Sequence, residues 1–134
     1  MFKNFCKKRE IKPLILLLLV LSTSYPQPPV CAEETEASYY TVASCRHEGM
    51  SGITASGERL YDNALTCAMR SRDFGKYYKI TNIENGKFVI VRHNDFGPNK
   101  KLWLKGRKID LSREAFSKIA DLKQGIIKVT VERQ

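Results

Sequence analysis

Asp95 is a carboxylate whose surroundings suit either moving protons or capping a turn. It lies in His93-Asn94-Asp95-Phe96-Gly97-Pro98, one residue after the β-forming run Phe88-Val89-Ile90-Val91. Gly97-Pro98 forces the chain to turn, which presents a short carboxylate at a groove instead of inside a core. An acid working near neutral pH must be shielded from water; Phe96 supplies apolar surface, while a guanidinium from Arg92 or Arg107 would favour the ionised form. The competing role for Asp95 is the common one of capping the turn. On a regular strand residues 93 and 95 share a face, so His93 is expected within reach of Asp95 as a proton partner, or else as a solvated surface side chain.

Other chemistries find less support. Cys45, His47, Cys67 and His93 lack any close C-x-x-C or H-x-x-x-H spacing, so no metal is expected, and nothing calls for a cofactor. Asp95-Phe96-Gly97 spells a kinase magnesium motif in a chain too short for that fold and without a glycine-rich loop. His47-Glu48 opens like a zinc-protease motif, but no second histidine follows at the needed spacing.

The elements that must position Asp95 begin after a leader. Lys3, Lys7, Lys8, Arg9 and Lys12 precede the apolar run 14–21, the order of a secretory signal peptide. The run is shorter than the about 20 residues a membrane span needs, so no stable span is expected. Tyr25-Pro26-Gln27-Pro28-Pro29 breaks any helix, and Val30-Cys31-Ala32 offers a cleavage site after Ala32. The alternative, acylation of Cys31 as a lipoprotein, fits less well because Val30 is not small. The protein is thus expected to be periplasmic or secreted. Five of the 23 basic and one of the 14 acidic residues precede residue 33, so the formal charge of +9 falls to +5 without the leader. For an exported protein that balance suits an anionic wall polymer, and nothing resembles a nucleic-acid-binding helix. Cys45 and Cys67 form an even pair in an oxidising compartment, most simply a disulfide, worth about 3 kcal/mol for a loop of about 20 residues.

Residues 33–37 are acidic and small, reading as a flexible lead-in to one domain over 38–134. Tyr39 to Val42 favour a strand, and 64–69 is a short apolar run consistent with a buried one. Asn85-Gly86 between Tyr77–Thr81 and Phe88–Val91 predicts a hairpin with a type I′ turn. Ser112 caps a predicted helix carrying Ala115, Phe116, Ile119 and Ala120 at helical spacing, stopped at Gln124-Gly125. Ile127, Val129 and Val131 alternate with polar residues as in a half-buried strand. Many short strands with one or two short helices indicate an all-β barrel. Periodicity alone does not separate a double-psi barrel from an OB-fold or a sandwich.

Four spaced segments carry a resemblance: Tyr40-Thr41-Val42-Ala43-Ser44, Thr54-Ala55-Ser56-Gly57-Glu58, Asn94-Asp95-Phe96-Gly97-Pro98 and Ile109-Asp110-Leu111-Ser112. In this order they resemble the rare lipoprotein A family of double-psi β-barrels and, more distantly, expansin and barwin domains. The resemblance implies a six-stranded double-psi barrel with a groove for peptidoglycan glycan strands. In active members it implies lytic cleavage between N-acetylmuramic acid and N-acetylglucosamine with formation of a 1,6-anhydro ring. It implies Asp95 as acid and base, Glu58 as a second carboxylate, and Asp110 in the groove. Thr54, Ser56, Thr66 and Asn94 are then the candidate hydrogen-bonding groups for sugar. Glycan strands are the expected partner and the chain is expected to act as a monomer. One departure stands out: active members carry a histidine in the segment matching Leu65–Arg70, where this chain has Met69. A thioether cannot shuttle a proton. The alternative implied is a barrel that binds glycan without cutting it.

Overall fold

The computed structural model describes residues 32–134. The expected leader, up to its last residue, and the acylation alternative at Cys31 lie outside them. Six strands close into a barrel in the order β1 (Glu33–Tyr40), β5 (Arg107–Ser112), β2 (Thr66–Met69), β4 (Phe88–Phe96), β3 (Tyr77–Asn82), β6 (Ile126–Arg133), with β6 pairing back to β1. The β1–β5 and β2–β4 pairs are parallel and the other four antiparallel. This is the predicted all-β, six-stranded double-psi barrel. It carries three short helices, one more than expected: α1 (Val42–His47), α2 (Lys100–Leu104) and α3 (Arg113–Ile119).

Alternation along each strand builds the core. Ala37, Cys67, Ile80, Val89, Val91, Ile109, Leu111, Ile127 and Val129 point inward and are buried together. Ser112 caps α3 as predicted, its Oγ accepting from the Ala115 N–H, and this orients Ala115, Phe116 and Ile119 into one end of the barrel. Phe116 packs there on Tyr39 with ring centroids 5.0 Å apart.

Three expectations are corrected. Residues 33–37 are no flexible lead-in: they form the first half of β1, paired on one side with β6, and Ala37 is fully buried. The hairpin forms, but Asn85 keeps a negative φ and only Gly86 (φ 72°) is left-handed, so the turn is not type I′. A longer loop is held instead by side chains. Asn82 Oδ1 accepts from the Glu84 N–H, Asn85 Oδ1 accepts from the Lys87 N–H, and both amide Nδ2 groups donate to the Ile119 carbonyl at the end of α3. Finally, Cys45 and Cys67 are both buried but free. Cys67 belongs to the barrel interior, whereas Cys45 on α1 lines a furrow outside the wall, so the two thiols lie on opposite sides of β2.

Candidate active site

A furrow of about 480 Å³ runs across the outside of the barrel between α1 and the turn after β4. Its floor follows from strand register. Asp95 on β4 pairs with Ala68 on β2, Ala68 with Asp110 on β5, and Asp110 with Ser38 on β1. Strands lie about 4.8 Å apart, so the two aspartates sit about 10 Å apart at the backbone. The small Ala68 lies between them. Gly97 keeps this stretch open: a Cβ there would meet Ala68 Cβ at 3.6 Å and Asp110 Oδ2 at 3.9 Å.

Asp95 both caps and lines. Its Oδ1 accepts from the main-chain N–H of Ala55 at 2.9 Å and of Phe96 at 2.8 Å. Its Oδ2 has no hydrogen-bond partner among the described residues, and Asp95 borders the furrow. Neither guanidinium feared from the sequence pairs with it. Arg92 is committed to Glu58, and Arg107 Nε lies 3.3 Å from Asp110 Oδ1.

His93 does not partner this carboxylate. β4 pairs with β2 through Cys67↔His93 and then Ala68↔Asp95, so Asn94 is an extra residue and the alternation resets at a β-bulge. His93 therefore joins the inward row of Val89 and Val91 and is fully buried. Its Nε2 lies 2.9 Å from the main-chain oxygen of Asp95, its Nδ1 3.2 Å from that of Asp73, and its ring packs on Phe74. It positions the Asp95 backbone from behind.

Glu58 is likewise a clamp and not an acid. It binds Arg92 through two hydrogen bonds of 2.5 and 2.6 Å and accepts from Asn94 Nδ2 at 3.1 Å. Arg92 first, then Asn94, hold its carboxyl down at about 2. The clamp fixes the 54–58 loop, which supplies the Ala55 N–H to Asp95. Because the folded value is depressed from 4.5, the stabilisation is fully present above about 4.5 and is lost as pH falls towards about 2. Glu58→Gln should thus melt lower than wild type at pH 7, with the gap closing across that window. Thermal melts between pH 7 and pH 2 check this, and a gap that ignores pH contradicts it.

Of the five residues expected to bind sugar, only Asp110 lines the furrow. Thr54 Oγ1 and Ser56 Oγ bond each other at 3.0 Å within their loop. Thr66 is buried beneath Tyr40, and Asn94 is buried in the bulge with its Oδ1 unpartnered among the described residues. Burial pushes the Asp110 carboxyl up, against the opposing hydrogen bond from Ser38 and the charge of Arg107. The sequence reading missed Tyr40, whose hydroxyl lies 3.1 Å from Thr66 Oγ1 in the furrow wall. Burial pushes its phenol up, so it stays a hydrogen-bond donor at neutral pH. It also missed Arg70, which borders the furrow and donates to the Pro98 carbonyl at 3.3 Å. Met69 faces away from the furrow into the barrel end. No histidine lines the furrow among the described residues.

Comparison with known proteins agrees with this architecture. Residues 32–131 match the protein family described as lytic transglycolase. The chain is 38% identical over 108 residues to the "Probable endolytic peptidoglycan transglycosylase RlpA" of Nostoc sp., covering 78% of this chain and 28% of that protein. It is 41% identical over 101 residues to the "Endolytic peptidoglycan transglycosylase RlpA" of Pasteurella multocida, covering 72% of this chain and 33% of that one. It therefore spans about a third or less of these relatives. Among solved structures, a Streptomyces papain inhibitor superposes with a TM-score of 0.58 at 21% identity, covering 78% of this chain and 96% of the inhibitor. That likeness is one of fold. With a family match reaching across β1 to β6 and the barrel topology to go with it, this chain belongs to the lytic transglycolase family, as an RlpA-like double-psi β-barrel.

Proposed function

We propose that this barrel cleaves peptidoglycan glycan strands lytically, as an exported enzyme acting as a monomer. The observation that carries the reading is the Asp95 carboxylate: one oxygen pinned by two main-chain N–H groups, the other unengaged at a furrow of ligand-binding size. Asp95 Oδ2 gives a proton to the oxygen leaving between N-acetylmuramic acid and N-acetylglucosamine. The same oxygen then takes the proton of the muramoyl 6-hydroxyl as that hydroxyl bonds to C1, closing the anhydro ring. No water enters, and the carboxyl ends as it began. The proton carrier is fixed before substrate arrives, which lowers the reorganisation needed at the moment of reaction. Asp110, held on the furrow floor by Ser38 and Arg107, offers carboxylate oxygens to sugar hydroxyls, and the neutral phenol of Tyr40 offers a donor to sugar oxygens. The relatives named as endolytic peptidoglycan transglycosylases support the substrate and reaction. Export rests on the leader over 1–32, and the intact mass of the protein recovered outside the cytoplasm tests it.

The assay is incubation with sacculi, intact and stripped of stem peptides, followed by mass spectrometry of soluble fragments. Anhydromuropeptides support the reading; fragments with reducing ends, or none, oppose it. Asp110→Asn keeps a hydrogen-bonding oxygen on the furrow floor, so it should lower the release rate by no more than about tenfold, within the range of one lost hydrogen bond. A loss as large as that of an Asp95 variant would transfer the proton role to Asp110.

A second reading is a barrel that binds glycan without cutting it. Met69, where the family resemblance implies a histidine, favours it, since the furrow has no imidazole among the described residues. Sacculus pull-down without released product would support this reading over the first.

A further inference from the structure

The barrel is plugged by α3 at one end and open at the other. Met69, Tyr78, Ile109 and Val131 floor a cavity of about 450 Å³ at the open end, with Trp103 of α2 on its wall. Arg70 borders both this cavity and the furrow, and α2 contributes Leu102 to the furrow and Trp103 to the cavity, so the two are continuous across one side chain. The cations around them divide unequally. Lys108 pairs with Glu33, Arg133 with Asp73 at 3.8 Å, and Arg107 with Asp110 at 3.3 Å. Arg70 has no carboxylate within 4.0 Å among the described residues. Its guanidinium is held by the Pro98 carbonyl and over the Phe96 ring, 5.1 Å from its centroid.

A fixed guanidinium without a carboxylate partner, at the lip of a cavity with an apolar floor and a rim that carries the Glu33–Lys108 and Asp73–Arg133 pairs, fits a ligand with a carboxylate on a small apolar stem. We infer that the open barrel end is a second subsite, in which Arg70 binds the carboxylate carried by the C3 ether substituent of a muramoyl ring seated in the furrow and the apolar floor takes its methyl-bearing stem. This rests on the reading of the furrow as a peptidoglycan site. The shared chemistry is a carboxylate borne on the C3 ether of muramic acid. It comes either from the lactyl group itself or from an attached stem peptide. Met69 then has a use: a thioether extends the apolar floor where an imidazole would interrupt it.

Trp103 is the chain's single tryptophan, so its emission reports on this cavity without interference. The test titrates the protein with three ligands: N-acetylglucosaminyl-N-acetylmuramic acid, the same disaccharide carrying a stem peptide, and di-N-acetylchitobiose, which has no carboxylate. None contains the bond to be cut, so binding is read apart from cleavage. At least one muramoyl ligand should shift Trp103 emission and bind about tenfold or more tightly than chitobiose, as expected for one charge-assisted bidentate contact. Arg70→Gln should erase that preference and Arg70→Lys should restore part of it, both melting as wild type does. Tighter binding of the free disaccharide, whose lactyl carboxylate becomes an amide when the stem is attached, assigns the lactyl group, and equal or tighter binding of the peptide form assigns a carboxylate of the stem; both support the subsite. Equal binding of chitobiose, a preference that survives Arg70→Gln, or calorimetric binding that leaves Trp103 silent would each overturn it. Should cleavage of sacculi fail while this pattern holds, the catalytic reading falls and the subsite stands.

Discussion

Asp95→Asn should lower the rate of anhydromuropeptide release by about 10²–10⁴-fold, the usual contribution of a positioned acid–base group, and leave the melting temperature unchanged. Stability is spared because the asparagine Oδ1 still accepts from Ala55 and Phe96, the two N–H groups that Asp95 Oδ1 holds. Activity is not spared, because an amide nitrogen cannot give a proton and take it back. Sacculus binding should survive in the variant, which separates loss of chemistry from loss of affinity. A variant that cuts within about threefold of wild type would remove Asp95 from the reaction.

Phe116→Ala should cost about 3–5 kcal/mol, the range for deleting a fully buried aromatic side chain. Phe116 is wholly buried, fills the end of the barrel beneath α3 and packs on Tyr39. Tyr39, the ring it packs on, belongs to β1, a strand paired on both sides in the closed barrel, which limits collapse of the cavity. For a domain of this size the melting temperature should fall on the order of 20 °C. The effect should reach the furrow as well. Tyr39 is flanked on β1 by Ser38 and Tyr40, which line that furrow. Urea and thermal melts measure the loss, and a change under about 1 kcal/mol would mean that α3 does not plug the barrel.

Much of the wall was legible because local pattern and tertiary packing agree there. The alternation of β3, β4 and β6 and the Ser112 cap of α3 each depend on neighbours close in sequence. What was not legible depends on partners far along the chain. Glu33–Ala37 is polar enough to suggest a tail, and becomes a strand because closure of the barrel supplies β6 beside it. Residues 93 and 95 share a face on any regular strand; the bulge that separates them exists only relative to β2. The row Asp95, Ala68, Asp110, Ser38 joins four strands across two parallel pairings, so Asp110 could be assigned by resemblance and not by spacing. Thr54, Ser56, Thr66 and Asn94 looked like sugar ligands because they are small and polar. They instead satisfy one another or neighbouring groups, the usual fate of buried polar side chains. Arg70 drew no attention in sequence, where one cation among 23 basic residues carries no signal until the other cations lining the furrow and the barrel end are seen to be paired.

The central claim is that one carboxyl, Asp95, breaks the glycan by intramolecular ring closure without water. Cleavage of stripped sacculi in heavy-oxygen water, with mass spectrometry of the products, tests it most directly. The account predicts 1,6-anhydro ends that carry no label in wild type, and their release at least about 10²-fold more slowly by Asp95→Asn. Labelled reducing ends, or unlabelled anhydro ends in equal yield from the variant, would contradict it.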